Sequence, residues 1–195
     1  AKNNVKIIDN EKNIIISAEK IFYFKGKEEI VAEGNIVLKD IKKDILIKSD
    51  KIFLNQNEEI IIADGNVYFD DQKNNIQLAT EKITYEKKTS KIFTEGKTNA
   101  DIKNKYKFKS KNLTFLKDEM KLFSSDKTYI LDKDFFSYNL DSFDYEINNE
   151  FLKGTNITIV ENSNLKPGES NKYYFESGFF DLKDKDFKTT DTKIS

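Results

Sequence analysis

The stretch Ile30-Val31-Ala32-Glu33-Gly34-Asn35-Ile36 returns 31 residues further on as Ile61-Ile62-Ala63-Asp64-Gly65-Asn66-Val67, and a weaker copy, Ile92-Phe93-Thr94-Glu95-Gly96-Lys97-Thr98, follows after another 31. A fixed period of this length indicates a repeat architecture, in which neighbouring units share one continuous core. The repeat therefore decides the architecture before any single residue is interpreted.

A second element keeps the same period. It reads Ala18-Glu19-Lys20-Ile21, Ser49-Asp50-Lys51-Ile52 and Thr80-Glu81-Lys82-Ile83, with a weaker copy at Ser110-Lys111-Asn112-Leu113. The clear repeats span residues 14–127, and residues 128–195 are predicted to be degenerate units of the same single domain, 1–195. Because the closing residues resemble the opening of another unit, we expect this domain to be a fragment of a longer chain.

Alternating apolar residues predict the secondary structure of the units. Ile76 and Leu78, like Tyr106 and Phe108, flank a polar residue, and this period of two is typical of half-buried strands. We predict an all-β chain of about fourteen short strands with little helix. The Glu/Asp-Gly-Asn steps at Gly34 and Gly65 fit either a β-bulge that bends a strand or a type I′ hairpin turn.

Composition argues against several classes of function. Lys and Arg number 33 against 34 Asp and Glu, which disfavours a nucleic-acid partner. The chain has no His and no Cys, so the commonest general base and metal ligand is missing. Asp181, Asp184 and Asp186 lack the spacing of a calcium loop, and no carboxylate pair stands out as a glycosidase site. We predict no catalytic residues, no metal and no cofactor.

The Ile-x-Ala-Glu/Asp-Gly-Asn motif at Ile30 and Ile61, with Ser-Asp-Lys-Ile at Ser49 between the copies, resembles the OstA-like lipopolysaccharide-transport family, which includes LptA, LptC and the periplasmic N-terminal domain of LptD. The chain is most like the LptD domain, although it lacks that protein's N-terminal cysteines. The resemblance implies an open-ended, V-shaped antiparallel β-jellyroll. It also implies that the chain is not an enzyme: an apolar groove binds lipopolysaccharide acyl chains and passes the lipid across the periplasm to the outer-membrane translocon.

Strand parity predicts which apolar side chains line the inner face and contact lipid. These are Ile36, Leu38, Ile45, Ile47, Ile52, Leu54, Ile62, Val67, Phe69, Ile76, Leu78, Ile83, Tyr85, Phe108, Leu113 and Phe115. Such a surface can hold acyl chains because each buried methylene contributes about 0.8 kcal/mol. The alternative is that the same residues fill a closed sandwich core.

Five lysines form the sharpest charge pattern. Lys103, Lys105, Lys107, Lys109 and Lys111 occupy every second position, which in a strand places a row of ammonium groups on one face. The row is interpreted either as contacts to lipid phosphates, or as a solvated outer face or an edge strand that lysines protect from unwanted pairing.

The resemblance also implies partners and a location. The partners are lipopolysaccharide, a neighbouring LptA-like jellyroll joined end to end by strand pairing, and, if the chain is LptD, its own C-terminal outer-membrane barrel with a lipoprotein plug. We expect the segment around Ile7, Ile8 and residues 14–17 to receive the partner strand. The location is the periplasm, with attachment to the outer membrane if a barrel follows. The alternatives are the LptA bridge protein, or a structural or adhesive β-solenoid without lipid.

Overall fold

The computed structural model describes residues 2–133, 136–161 and 171–194, whose regular structure is entirely β. The described residues contain no helix that could cross a membrane. The sixteen strands are β1 (Lys2–Asp9), β2 (Ile14–Phe24), β3 (Glu29–Asp40), β4 (Ile45–Asn55), β5 (Ile60–Asp71), β6 (Ile76–Glu86), β7 (Lys91–Ile102), β8 (Tyr106–Lys111), β9 (Thr114–Leu116), β10 (Lys121–Ser124), β11 (Thr128–Asp132), β12 (Phe136–Leu140), β13 (Ser142–Glu146), β14 (Phe151–Glu161), β15 (Asn171–Asp181) and β16 (Asp186–Ile194). The all-β prediction is confirmed.

The strands pair antiparallel in chain order from β1 to β7, where the sheet divides into two branches. Residues 97–102 of β7 pair with β8, whereas residues 91–93 pair with β9. The branches rejoin at β14, which pairs with β13 through residues 151–155 and with β12 through residues 158–161. Each of the pairs β8 and β9, β10 and β11, and β12 and β13 therefore corresponds to one long strand interrupted near its middle.

Each strand pair from β2 with β3 to β6 with β7 shifts register near its middle, and the sheet folds there into two walls that face each other. Wall A consists of β8, β11 and β12 together with the halves of the longer strands that lie on the same side of the bends. Wall B consists of β9, β10 and β13 together with the other halves of those strands. Rings from the two walls meet in the interior: the ring centroids of Phe108 and Phe143 are 5.2 Å apart, and those of Tyr106 and Tyr145 are 5.7 Å apart. We call the line of bends the crease and the space between the walls the trough.

The repeated glycines form the crease. Gly34, Gly65 and Gly96 lie inside β3, β5 and β7 with φ values of 81°, 77° and 81°, a region that glycine adopts readily. The pairing of β4 with β3 and β5 shifts register beside Gly34 and Gly65, because the glycine strand carries one extra residue. These steps are therefore β-bulges, and the type I′ turn interpretation is wrong.

The hairpin turns lie along the edge opposite the crease. Glu28 and Glu59 end their turns with φ values of 54° and 58°, as in a type I turn followed by a left-handed residue. The backbone N–H of Gln56 donates to the carbonyl of Glu28, and that of Lys87 donates to the carbonyl of Glu59, both at 2.9 Å. These bonds link each turn to an earlier one in the same wall and stack the repeats in regular order.

Candidate functional site

The trough is lined by rows of apolar side chains that run across the strands. Leu38 pairs with Ile47, Ile47 with Phe69, and Phe69 with Leu78 in one such row on wall A. Directly opposed side chains on one face of a sheet lie about 5 Å apart, so the row is a continuous apolar strip. Wall B presents the corresponding row through Leu54, Ile61, Tyr85, Ile92 and Phe115.

Every predicted inner-face residue except Ile62 is at most 2% exposed. The inner-face prediction for Ile62 is wrong. Ile61 and Ala63 on either side of it are both 0% exposed, and side chains alternate between the faces of a strand. Ile62 pairs with Phe53 and Thr84 on the outer face of wall B. Burial alone does not test lipid contact, so contact between lipid and the other residues stays a prediction.

The sequence-based prediction missed Ile61 and Ile92 within the clear repeats, both 0% exposed, and the lining at both ends of the trough. Ile16 and Ile21 near the start of the chain are buried, as are Ile130, Tyr138 and Leu152 in the degenerate units. The alternation in the degenerate units was visible in the sequence. The interruptions that separate β8 from β9 and β12 from β13 concealed which of the alternating residues point into the trough.

The edge of the trough opposite the crease is closed by contacts between the turns of the two walls, which we call the seam. Lys87 Nζ lies 3.0 Å from Asp40 Oδ2, and Lys117 Nζ lies 2.5 Å from Asp71 Oδ2. Further contacts join Asp9 to Gln56, Lys12 to Glu59, Lys43 to Ser90, Lys105 to Glu150 and Lys185 to Asp132. The crease joins the walls through the backbone, whereas the seam joins them through side chains.

The seam at Glu150 is a hydrogen-bonded cluster. Lys105 Nζ lies 2.5 Å from Glu150 Oε1, and the hydroxyl of Tyr106 donates to Glu150 Oε2 at 2.7 Å. Burial raises the pKa of Glu150, but the hydrogen bonds from Lys105 and Tyr106 outweigh it, so the pKa of Glu150 lies below its ordinary value. Burial, followed by the hydrogen bond to Glu150, raises the pKa of Tyr106. The cluster therefore holds an ionised carboxylate against a neutral phenol.

The predicted lysine row does not share one face. Lys107, Lys109 and Lys111 are exposed on the outer face of wall A, whereas Lys103 lies in the turn before β8 and Lys105 belongs to the seam. The edge-strand interpretation is wrong, because β8 is paired with both β7 and β11. Contact between these lysines and lipid phosphates remains untested.

The predicted partner-binding segment is only partly available. Residues 14–18 of β2 already pair with β1, so the expectation that residues 14–17 receive a partner strand is wrong, while Ile7 and Ile8 lie on the edge strand β1. Within the described residues, β2 pairs through Ile21–Phe24 with β3 alone. Phe22, Tyr23 and Phe24 there are 48% to 49% exposed. Among the described residues, both β1 on wall A and residues 21–24 of β2 on wall B therefore present an unpaired strand edge at this end.

The far end of the trough contains a cavity of about 210 Å³. Its apolar lining comprises Phe136, Tyr138, Ile159, Tyr173, Phe175, Phe180 and Leu182. Lys185 also lines the cavity, with its ammonium group 5.0 Å from the centroid of the Phe136 ring. The apolar interior is therefore less tightly filled here than between the clear repeats.

These features define an elongated antiparallel β-jellyroll built from strand-pair repeats. Among solved structures, the chain is similar to the crystal structure of LptH from Pseudomonas aeruginosa, described as the LptA-homologous periplasmic component of the conserved lipopolysaccharide transport device. The TM-score is 0.50 at 13% identity, and the match covers 56% of this chain and 80% of that chain. This likeness confirms the predicted jellyroll fold. No protein-family model matches the sequence, and no curated protein matches it either.

Proposed function

We propose that the protein binds the acyl chains of lipopolysaccharide in its trough and passes the lipid across the periplasm as part of lipopolysaccharide transport. The observation that carries the proposal is the set of continuous apolar rows on the inner faces of both walls. Each methylene moved from water into such a lining contributes about 0.8 kcal/mol. Because the lining repeats, an acyl chain finds similar contacts at successive positions, which suits movement along the trough. The fold likeness to a periplasmic transport component supports this proposal.

Loading requires the two walls to separate, because side chains such as Phe69 and Tyr85 already fill the interior. The sugars and phosphates of the lipid remain in water, since burying polar groups without partners is costly. A bound lipid must therefore cross the boundary of the trough along its length. We propose that it crosses at the seam, where side-chain contacts alone hold the walls together.

Competition binding tests this function. Fluorescent lipopolysaccharide should bind the wild-type chain saturably, unlabelled lipid A should displace it, and chemically deacylated lipopolysaccharide should not. A bismaleimide crosslink between cysteines introduced at Lys43 and Ser90, whose Nζ and Oγ atoms lie 2.8 Å apart across the seam, should block loading. Displacement by the deacylated form, or no saturable binding, would refute acyl-chain recognition.

A second candidate is a structural or adhesive β-solenoid without lipid cargo, which the buried apolar core between the clear repeats favours. In that case the interior would bind no lipid, and crosslinking the seam would change only the stability of the fold. The same binding experiment therefore separates the two functions.

We further propose that a neighbouring jellyroll pairs with the accessible edge of β2 at residues 21–24, where Phe22, Tyr23 and Phe24 are exposed. An added strand would satisfy backbone groups of this edge and cover the aromatic side chains. Replacing Tyr23 with Pro removes the N–H and should abolish end-to-end assembly. Replacing the exposed Lys25 in the following turn should leave assembly intact.

The finer assignment to the LptD N-terminal domain, attached to the outer membrane by its own barrel and plug, rests on the sequence resemblance. LptA fits the fold equally well. Sequencing the gene beyond codon 195 tests the assignment: alternating strands with aromatic girdles would support LptD, and an early stop codon would support LptA.

A further inference from the structure

An apolar row crosses the outer face of wall B, on the side away from the trough. Successive strand pairings connect Phe22 to Val31, Val31 to Phe53, Phe53 to Ile62, Ile62 to Thr84, Thr84 to Phe93, Phe93 to Thr114, and Thr114 to Phe123. Phe22 is 48% exposed, and Phe53, Ile62 and Phe93 are half-buried. The row crosses eight neighbouring strands, and six of its positions are apolar; the other two are Thr84 and the buried Thr114.

Among the described residues, the outer face of wall A has no equivalent row, because polar residues interrupt the apolar positions that begin at Ile8 and Ile15. Its outer positions pair Leu46 with Asp70, Asp70 with Gln77, Gln77 with Asp101, and Asp101 with Lys107. Antiparallel sheets with one solvated face normally carry polar side chains on that face, as wall A does. Contiguous apolar surface on an outer face marks an interaction site. The two walls therefore differ in what their outer faces can contact.

A charge ladder runs beside the apolar row, next to the crease. The pairings connect Lys20 to Glu33, Glu33 to Lys51, Lys51 to Asp64, Asp64 to Lys82, and Lys82 to Glu95. The sign of the charge alternates at every step, and the ladder begins with a lysine and ends with a glutamate. If the ladder is placed against a second copy that runs in the opposite direction, every lysine faces a carboxylate and every carboxylate faces a lysine.

We propose that two copies of this chain associate through the outer faces of wall B, related by a two-fold axis parallel to the strands. This axis reverses the order of strands in the second copy. Lys51 then faces Asp64 of the other copy, Lys20 faces Glu95, and Glu33 faces Lys82. In the apolar row, Phe53 packs on Ile62 of the other copy and Phe22 packs on Phe93. An interface of this kind is isologous, as two-fold dimers require.

The charges favour a second copy of this chain over other partners for the outer face of wall B. A two-fold axis along the apolar row would instead place Glu33 against Glu29 and Lys51 against Asn55, which gives no complementarity. An anionic membrane gains little from the ladder, because its charges sum to zero. The axis pairs β2 to β7 of one copy with β7 to β2 of the other, so with strands about 4.8 Å apart the paired part of the apolar row is about 24 Å long. Such an interface is small, and the dimer forms reversibly.

The dimer places two troughs back to back with opposite chain directions and leaves both interiors and seams untouched. The proposal is therefore independent of lipid binding. A chain that binds no lipid can still dimerise, and a chain that fails to dimerise can still carry lipid.

Sedimentation velocity over a concentration series, with the whole chain, tests the proposal. The wild type should shift reversibly from monomer to dimer, and Ile62→Ser should raise the dissociation constant by about 10-fold or more, which corresponds to 1.4 kcal/mol. Leu46→Ser on the outer face of wall A is the matched control and should leave the constant unchanged. A monomer at every concentration, or equal effects of the two substitutions, would overturn the proposal.

Charge reversal gives a second test that does not depend on apolar contacts. Lys51→Glu faces Asp64 of the other copy with a like charge, and Asp64→Lys faces Lys51 in the same way, so each variant alone should be monomeric. A mixture of the two variants should form heterodimers, because both contacts then join opposite charges. Thermal melts confirm that each variant is folded. Equal dimerisation of the single variants and the mixture would contradict the two-fold arrangement, as would binding to neutral vesicles in place of self-association.

Discussion

Lys117 Nζ lies 2.5 Å from Asp71 Oδ2 in the seam, and the two side chains are 7% and 0% exposed. Lys117 lies in a wall B turn, and Asp71 is the last residue of β5 on wall A. Two charges removed from water depend on each other, because each would be costly to bury alone. The pair therefore couples the stability of the fold to the closure of the trough.

Removing one partner of this pair should be strongly destabilising. Asp71→Ala leaves the Lys117 ammonium buried without its carboxylate, and the expected loss in the free energy of unfolding is about 3–5 kcal/mol. Urea unfolding measures it. The double substitution Asp71→Leu with Lys117→Met should be close to wild type. Lys127→Ala is the control, because Lys127 is 88% exposed and pairs with Asp141 at 3.9 Å. A loss no larger than that of the control would contradict the role of the seam.

Two adjacent isoleucines test the assignment of faces. Ile61→Ala creates a cavity between the walls and should cost about 2–5 kcal/mol in unfolding free energy, since Ile61 is fully buried. Ile62→Ala removes a half-buried side chain from the outer face and should cost less than about 1 kcal/mol. Urea titrations of the two variants compare them directly. The reverse order would show that Ile62 lies inside.

Gly65 should not tolerate a side chain. Its φ of 77° disfavours other residues, and an added Cβ would lie 2.6 Å from Asp50 Oδ2. Gly65→Ala should therefore lower the unfolding free energy by about 1–3 kcal/mol. Gly26→Ala is the control, because nothing lies within 4 Å of an added Cβ there. Calorimetric melting temperatures that fall equally in both variants would argue against the bulge as a requirement of the crease.

Two buried tyrosines should respond differently to removal of the hydroxyl. The hydroxyl of Tyr106 donates to Glu150 at 2.7 Å, so Tyr106→Phe should cost about 1.5–3 kcal/mol. Within the described residues, the buried hydroxyl of Tyr85 has no hydrogen-bond partner, so Tyr85→Phe should be neutral or stabilising. Chemical denaturation of both variants gives the comparison, and a larger loss for Tyr85→Phe would refute it.

The Glu150 cluster should contribute to acid unfolding. The hydrogen bonds from Lys105 and Tyr106 hold the pKa of Glu150 below its ordinary value despite burial. A carboxylate with a depressed folded-state pKa stabilises the fold fully above its unfolded pKa of about 4.3 and loses that contribution as the pH falls through the lower folded value. Glu150→Gln should therefore be less stable than wild type at neutral pH. The difference should shrink below about pH 4. A pH-independent difference in urea midpoints would contradict this.

Much of the fold could be predicted because the repeat carries strong local signals. The alternation of residues such as Ile76 and Leu78 identifies strands. The glycine steps fit either a bulge or a turn in the sequence, and the strand pairing on both sides of Gly34 and Gly65 decides for the bulge. Ile62 was misplaced because Ile60, Ile61 and Ile62 are consecutive, so apolarity alone could not distinguish the inner face from the outer one. The outer apolar row explains this: both faces of wall B are apolar at that position.

The seam could be predicted only in part. Asp40 and Asp71 are 31 residues apart, which marks them as equivalent positions in the repeat. Their lysine partners could not be chosen, because the chain has 33 basic residues and the pairing depends on how the turns of the two walls meet. The 47-residue separation between contacting turn residues becomes visible only once the walls are folded together.

Site-specific photo-crosslinking to lipopolysaccharide shows whether acyl chains lie between the two walls. A photoreactive residue at Leu38 or Phe69, on the inner face, should capture the lipid, whereas the same residue at Val37 or Tyr68, on the outer face, should not. Equal capture at inner and outer positions, or no capture at the inner ones, would contradict the claim that acyl chains lie between the two walls.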